Sequence, residues 1–453
     1  MANRRFDGST ANTMKNVGIK KAALQMSRYV LASKQVQRAL KLLGLPASRA
    51  NEVSGIPKPA DTSLSFPGYE AFALHGEAWQ AAGEQKPIIL MFGVHPWKRD
   101  VLARYFSDFR VAYVRTNTSW TKVQTSFCQF TPQAFVFWGM TEIRAAKNYA
   151  IKSSIPLWRV EDGFLRSVGL GAQHVLPLSL AVDTTGIYFD PSRPSTLETL
   201  ISEIGMTENA TLIERARRCM SMISAFGLSK YNVGQDVPLK RLPPSDRRRV
   251  LVVGQVEDDA SIVMGCAARY TNNDIVRITQ KENPDAEVIY RPHPDVLGGH
   301  RKEFSNPRDV ANICTILSGD YDLGSLLDSV DHVYTITSLL GFEALIRRKK
   351  VTVFGAPFYS GWGLTDDRQP TPRRTAKPSL DELFAAAYIL YPRYCVGSLG
   401  SSAEIEHAIM SLALEKNGVP RELAEGVSSA LPAEAINVDC VSQTLEGLKS
   451  IPS

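Results

Sequence analysis

The sequence predicts an α/β chain of two Rossmann-like domains in tandem, with an extra helical segment at the N-terminus. Three observations carry this. Short β-branched or aromatic runs alternate, in two series, with stretches long enough for crossover helices, which is the pattern of a parallel sheet. A proline- and arginine-rich segment, residues 240–249 (KRLPPSDRRR), separates the two series. The chain has 453 residues, 44% hydrophobic and 22% charged, enough for two sizeable cores and close to the globular average. That composition excludes collagen-like, low-complexity and wholly disordered classes, and no apolar run reaches the roughly 18 residues of a membrane span.

Residues 1–60 hold eleven Lys or Arg against two acids, a net +9, so the rest of the chain carries −3 of the total +6. Within them Val17, Leu24, Tyr29, Val30, Leu31, Val36, Leu40 and Leu43 recur mainly at three- and four-residue steps, which predicts one or two basic amphipathic helices. Such a helix suits an anionic membrane surface or a packed position with a solvated basic face. Pro46, Gly55, Pro57 and Pro59 close this unit as a linker.

The first domain is expected over residues 61–240. Residues 86–93, 109–115, 133–139 and 156–161 read as its strands, and Ser195 with Glu198 forms a capping box opening a helical hairpin that runs to about Leu228. The second domain is expected over residues 248–395, with strands at 249–256, 287–291, 332–335 and 350–354 and helices near 262–283, 322–329, 338–348 and 379–390. Residues 396–453 are expected to supply a helix at 401–414 that crosses back onto the first domain, then a peripheral tail beyond Asn417. The six cysteines show no CxxC pair and no Cys/His spacing, and no secretory signal is visible. This predicts reduced thiols, a cytoplasmic location and no structural metal.

G-x-G-x-x-G is missing after each predicted first strand, and G-x-x-x-x-G-K-[ST] is absent. Open sheets bind ligands at the carboxyl ends of their strands, and two such domains set two of these edges across a cleft. Four groups of residues stand there. Glu161 and Asp162 precede the loop containing Arg166, Gly169 and Gly171; in extended chain the two acids point oppositely, so one faces a ligand while the other is anchored inward, with Arg166 as an anchor. Such a pair is otherwise a solvated turn. Arg291, His293, Pro294 and Asp295 follow the strand EVIY, where flanking prolines fix an imidazole that either donates to a phosphate or sits on a rigid surface turn. Thr337 and Ser338 open a helix as caps or as phosphate ligands. Glu343 lies further along that helix, as a ribose contact or a solvated charge. Residues 355–363 (GAPFYSGWG) form an aromatic loop for base stacking or for packing under the sheet. Together they describe a nucleotide-phosphate site in the second domain.

Residues 160–190 (VEDGFLRSVGLGAQHVLPLSLAVD through Asp190), GQVEDDAS, RPHPDV, TSLLGFEAL and GAPFYSGWGLT, in this order, resemble the capsular polysaccharide synthesis family, which includes the KpsC-type, KpsS-type and LipA-type retaining β-Kdo transferases. The resemblance covers roughly residues 86–395 and implies a GT-B-like arrangement of the two domains, in a single-module version. It implies a metal-independent glycosyltransferase with no cofactor, taking Kdo from CMP-Kdo to a lipid-linked or glycolipid acceptor. On the same grounds His293 with Pro294 matches the element placed on the CMP phosphate, Thr337 and Ser338 the Ser/Thr element, Glu343 the ribose contact and Gln255 a donor-side contact. Asp162 matches the catalytic carboxylate, with Glu161 beside it, and Arg166 and Arg291 are candidates for the sugar carboxylate. His174 and Asp183 are further candidates. Contact with the anionic inner-membrane face and with capsule assembly machinery is a corollary, and nucleic acid is not expected because the excess charge is confined to residues 1–60. Another CMP-activated ulosonic acid, sialic-acid-like, and a non-catalytic capsule assembly or export partner remain the alternatives.

Overall fold

The computed structural model describes residues 71–75, 86–115, 117–128, 130–169, 175–206, 209–233, 239–297, 304–319 and 321–449. The basic extension expected over residues 1–60, Gly171 and His174 lie outside the described residues. The strands, in chain order, are β1 (Phe72–His75), β2 (Ile88–Phe92), β3 (Arg110–Val114), β4 (Ala134–Trp138), β5 (Leu157–Asp162), β6 (Ser167–Val168), β7 (Ser179–Asp183) and β8 (Tyr231–Asn232). They continue with β9 (Arg249–Val253), β10 (Glu287–Arg291), β11 (Thr315–Ile316), β12 (His332–Thr335), β13 (Lys350–Val353), β14 (Asp366–Asp367) and β15 (Pro392–Tyr394).

Two sheets result. The first runs β1-β3-β2-β4-β5-β7-β15, with β3, β2, β4 and β5 parallel and β1, β7 and β15 antiparallel to their neighbours. The second runs β11-β10-β9-β12-β13-β14 and is parallel throughout. All five residues of β2 and of β9 are buried, because a central parallel strand is covered by helices on both faces. β6 and β8 form a separate two-stranded piece beside the first sheet. This is the expected pair of Rossmann-like domains in a GT-B-like arrangement.

Several details differ from the sequence reading. β5 extends one residue further, so Asp162 belongs to the strand. β7 was not anticipated: it pairs antiparallel with β5 and brings Leu180 opposite Asp162. The chain re-enters the first sheet at β15, ahead of the boundary expected at residue 395. The helix expected over 262–283 is two helices, Ala260–Gly265 and Asn272–Glu282, the second restarted by a capping box of Thr271 with Asp274. The helix over 379–390 begins as an α-helix at Leu380–Phe384 and widens into a π-helical turn over Ala385–Leu390. The tail is not peripheral. Helices Arg421–Ser429 and Val438–Lys449 insert Leu423, Val427 and Val441 into the core that also holds Phe164, Leu251, Phe358 and Leu412. Buried Glu406 pairs with Arg215 and Arg218, tying the helix Ile405–Lys416 to the helix Ala210–Ala225. Among the described residues no helix is long and apolar enough to cross a membrane.

Candidate functional site

The carboxyl ends of β2, β4 and β5 face those of β9, β10, β12 and β13 across a cleft of about 1320 Å³. Ten of the site residues named from the sequence line it: Glu161, Asp162 and Arg166 from the first domain, and Gln255, Arg291, His293, Pro294, Thr337, Ser338 and Glu343 from the second. Asp183 does not.

On the first-domain side both acids border the cleft, in place of the one expected. Asp162 Oδ2 accepts a hydrogen bond from Arg166 Nε at 2.8 Å, and Lys98 Nζ stands 3.4 Å from Oδ1. Burial works against the charge on Asp162, but Arg166, Lys98 and Lys230 outweigh it and hold the pKa below the usual carboxylate range. Glu161 has no such clamp. Its Oε1 accepts the Asp162 N–H at 2.9 Å, and burial together with repulsion from Asp162 raises its pKa to about 7. The Glu161 carboxylate also rests against Gly139, where an added Cβ would come within 2.9 Å of Oε2. Adjacent carboxyls thus divide into a fixed anion and a group that exchanges its proton near neutrality.

On the second-domain side His293 Nδ1 accepts the Asp295 N–H at 3.2 Å, so the proton of the neutral ring lies on Nε2. Ser338 is the N-cap of the helix Leu339–Ile346: its Oγ accepts the Leu340 N–H at 3.2 Å and keeps its own proton to donate. Glu343 is buried, not a solvated charge. Its Oε1 accepts from Ser229 Oγ at 2.9 Å and Lys230 N at 3.0 Å, whereas Oε2 has no hydrogen-bond partner among the described residues. Burial raises its pKa. The helix end, the imidazole and the hydroxyl are donors of the kind that suit an anion, and beside them the Glu343 oxygen without a partner is buried.

Residues 133–394 match the sequence model of the family described as "Capsule polysaccharide biosynthesis protein". The chain belongs to the capsule polysaccharide biosynthesis family. It is 99% identical over 440 residues, 97% of its length and all of the relative's, to the lipopolysaccharide-processing protein LpsZ of Rhizobium meliloti. It is 38% identical over 327 residues to the capsule polysaccharide modification protein LipA of Neisseria meningitidis serogroup B, covering 72% of this chain and 45% of LipA, so it spans about half of that relative. Among solved structures it resembles the β-Kdo 2,4-transferase of Thermosulfurimonas dismutans KpsC, with 34% identity, a TM-score of 0.61, and coverage of 72% of this chain and 98% of the other. The KpsC β-Kdo 2,7-transferase matches nearly as well, at 32% identity, TM-score 0.58, and 73% and 99% coverage.

Within this capsule-family fold some residues serve other ends than the sequence implied. The Gln255 amide is spent inside the protein: Oε1 accepts the Thr337 N–H at 2.8 Å and Nε2 donates to Thr337 Oγ1 at 3.0 Å. Gln255 therefore braces the loop that presents Ser338. The Thr337 hydroxyl continues to Ser261 Oγ at 3.2 Å. Arg166 uses Nε on Asp162 and Nη1 on Ser167 Oγ, and its Nη2, though without a partner among the described residues, is buried, so the fully buried guanidinium does not present its fork to the cleft for a bidentate grip on a sugar carboxylate. Asp183 is fully buried; it accepts from Thr185 N, Gly186 N, Thr196 Oγ1 and the Tyr391 hydroxyl, and is structural. In the GAPFYSGWG loop Phe358, Tyr359 and Trp362 are buried, with Phe358 stacked on Phe164 at 4.8 Å, so this loop packs the domains together.

Sequence reasoning missed Lys98, Lys230, Tyr188 and Tyr231. Lys98 follows β2 in the run HPWK, at a strand's carboxyl end like the residues that were found, and its Nζ lies 3.8 Å from the centre of the Trp138 ring. The strand-end rule applied to KPIILMFG finds it. Lys230 carries no comparable signal, since it reaches the cleft from the segment that joins the helical hairpin to β8.

Proposed function

We propose that this chain is a retaining glycosyltransferase that moves β-Kdo from CMP-Kdo to a lipid-linked or glycolipid acceptor in surface polysaccharide synthesis. The observation that carries the reading is the clamped Asp162 carboxylate facing His293, Ser338 and Glu343 across one cleft. The likeness to both KpsC transferases supports the sugar, and their near-equal similarity leaves the linkage position open.

In the first step an ionised Asp162 oxygen attacks the anomeric carbon, and the bond from that carbon to the phosphate oxygen breaks with its electron pair passing to CMP. His293 Nε2–H, the Ser338 hydroxyl and the helix N-terminus receive the charge on the departing phosphate. Glu343 Oε2 takes the ribose hydroxyls, and Arg291, the last residue of β10, adds positive charge on the same side. In the second step the acceptor hydroxyl attacks the same carbon, gives its proton to Glu161 and displaces Asp162. Two inversions retain the configuration. The depressed pKa of Asp162 suits both steps, since it is charged when it attacks and stable when it leaves. A monophosphate leaving group needs no metal on a diphosphate, so turnover is expected to survive EDTA.

The test is intact-protein mass spectrometry with CMP-Kdo generated in situ. The wild type is expected to gain one Kdo on the peptide containing Asp162, and Asp162→Ala none. Steady CMP release by Asp162→Ala would remove Asp162 as nucleophile, and no adduct or CMP release by the wild type, with acceptor lipids present, would sink the transferase reading.

A further inference from the structure

The charges around Asp162 do not balance without a ligand. Arg166 and Lys98 both pair with Asp162, at 2.8 and 3.4 Å. A third cation, Lys230, acts electrostatically on both Asp162 and Glu161, but its ammonium has no hydrogen bond or ion pair among the described residues. It stands 5.6 Å from the centre of the Tyr231 ring. Three cations therefore face one firmly ionised carboxylate and one that is half-protonated near neutral pH. Burial disfavours the Lys230 ammonium, but Tyr188, Tyr231, Asp162 and Glu161 around it favour the charge and keep it; with no hydrogen-bond partner of its own among the described residues, it is left to pair with an anion that enters the cleft.

The position of Lys230 says which anion. Its backbone N–H donates to Glu343 Oε1 at 3.0 Å, the carboxylate whose other oxygen is assigned to the ribose, while its side chain lies with the acids of the transfer centre. A sugar joined to CMP and awaiting attack by Asp162 occupies the interval between these two. Arg166 is committed to Asp162 and Ser167. Arg291 ends β10, on the nucleotide side.

We propose that Lys230, seconded by Lys98, anchors the carboxylate of the donor sugar and thereby selects acidic 2-keto sugars over neutral ones. This rests on the CMP-sugar reading above and adds to it the group that recognises the sugar. It also explains why a lysine is used: an ammonium meets a single carboxylate oxygen as a point charge and leaves the other to Lys98.

The test separates nucleotide from sugar. Displacement of a fluorescent CMP derivative needs no turnover and is measured with CMP and with freshly made CMP-Kdo, on wild type, Lys230→Met, Lys230→Arg and Lys98→Met. For the wild type CMP-Kdo is expected to displace the probe at lower concentration than CMP. Lys230→Met is expected to bind CMP within about twofold of wild type but CMP-Kdo at least tenfold more weakly, with Lys230→Arg recovering part and Lys98→Met losing less. An advantage of CMP-Kdo over CMP that persists in Lys230→Met, that is absent from the wild type, or a loss that falls equally on CMP, overturns the anchor. CMP release is scored in parallel: a wild type that shows the binding advantage but consumes no CMP-Kdo retains the anchor and loses the transferase.

Discussion

Glu161 and Asp162 are consecutive residues of one strand with the same functional group, yet their proton affinities part in opposite directions. Strand geometry turns one side chain towards Gly139 and the other towards Arg166 and Lys98, so Asp162 has cations in direct contact whereas Lys230 and Lys98 act on Glu161 without pairing with it. A base with a pKa of about 7 is unprotonated, and active, only above that pH. The acceptor-dependent rate is therefore expected to rise with pH through about 7, and Glu161→Gln to remove that limb and lower the rate roughly a hundredfold or more. A pH–rate profile of both proteins checks this. Gly139 has φ +52, and a methyl group there meets Glu161 Oε2. Gly139→Ala is expected to cost about 1–2 kcal/mol in urea unfolding from the left-handed backbone alone. It should also shift the midpoint of the pH limb, since it displaces the carboxylate. The acid pair was legible as residue types at a strand end. Which acid is clamped was half legible, through Arg166 four residues on, and Lys98 was not seen because it arrives from the helical turn after β2, far from Asp162 in the chain.

At the scale of elements, the parallel strands other than the two-residue edge strands β11 and β14 were plain in the sequence because burial on both faces leaves continuous apolar runs such as IILMF and RVLVV. β7 and β15 were not. Each is a short run whose identity depends on a partner: β7 on the edge left by β5, and β15 on the edge left by β7. One carboxylate stabilises this junction. Asp183 ends β7, accepts the first N–H of the helix Thr196–Glu203 and holds the hydroxyl of Tyr391, the residue before β15. Asp183→Ala leaves several buried donors unpaired, and a loss of about 3 kcal/mol is expected in denaturant unfolding. Protein that remains folded is expected to bind CMP normally, because Asp183 lies outside the cleft.

At the scale of the whole molecule, one apolar core runs from the first domain's helical hairpin through the second sheet to the C-terminal helices. The polar, proline-interrupted sequence after Asn417 conceals this, because apolar residues such as Leu423 and Val427 are sparse along the chain and coherent only on one helix face. Removing residues 418–453 is expected to yield insoluble or unfolded protein, read by circular dichroism and the soluble fraction; a folded, CMP-binding truncate would contradict the shared core. Two α/β units, their longer parallel strands and the chemistry of the strand ends could be read along the chain, since these follow from local periodicity and from residue type beside turns. Only the tertiary structure decided that β15 and the tail return to the first domain, that Gln255 and Arg166 are spent on protein partners, and that Lys98 and Lys230 converge on Asp162. Those outcomes depend on contacts between residues far apart in the chain, where burial and charge are set by the neighbours that folding supplies.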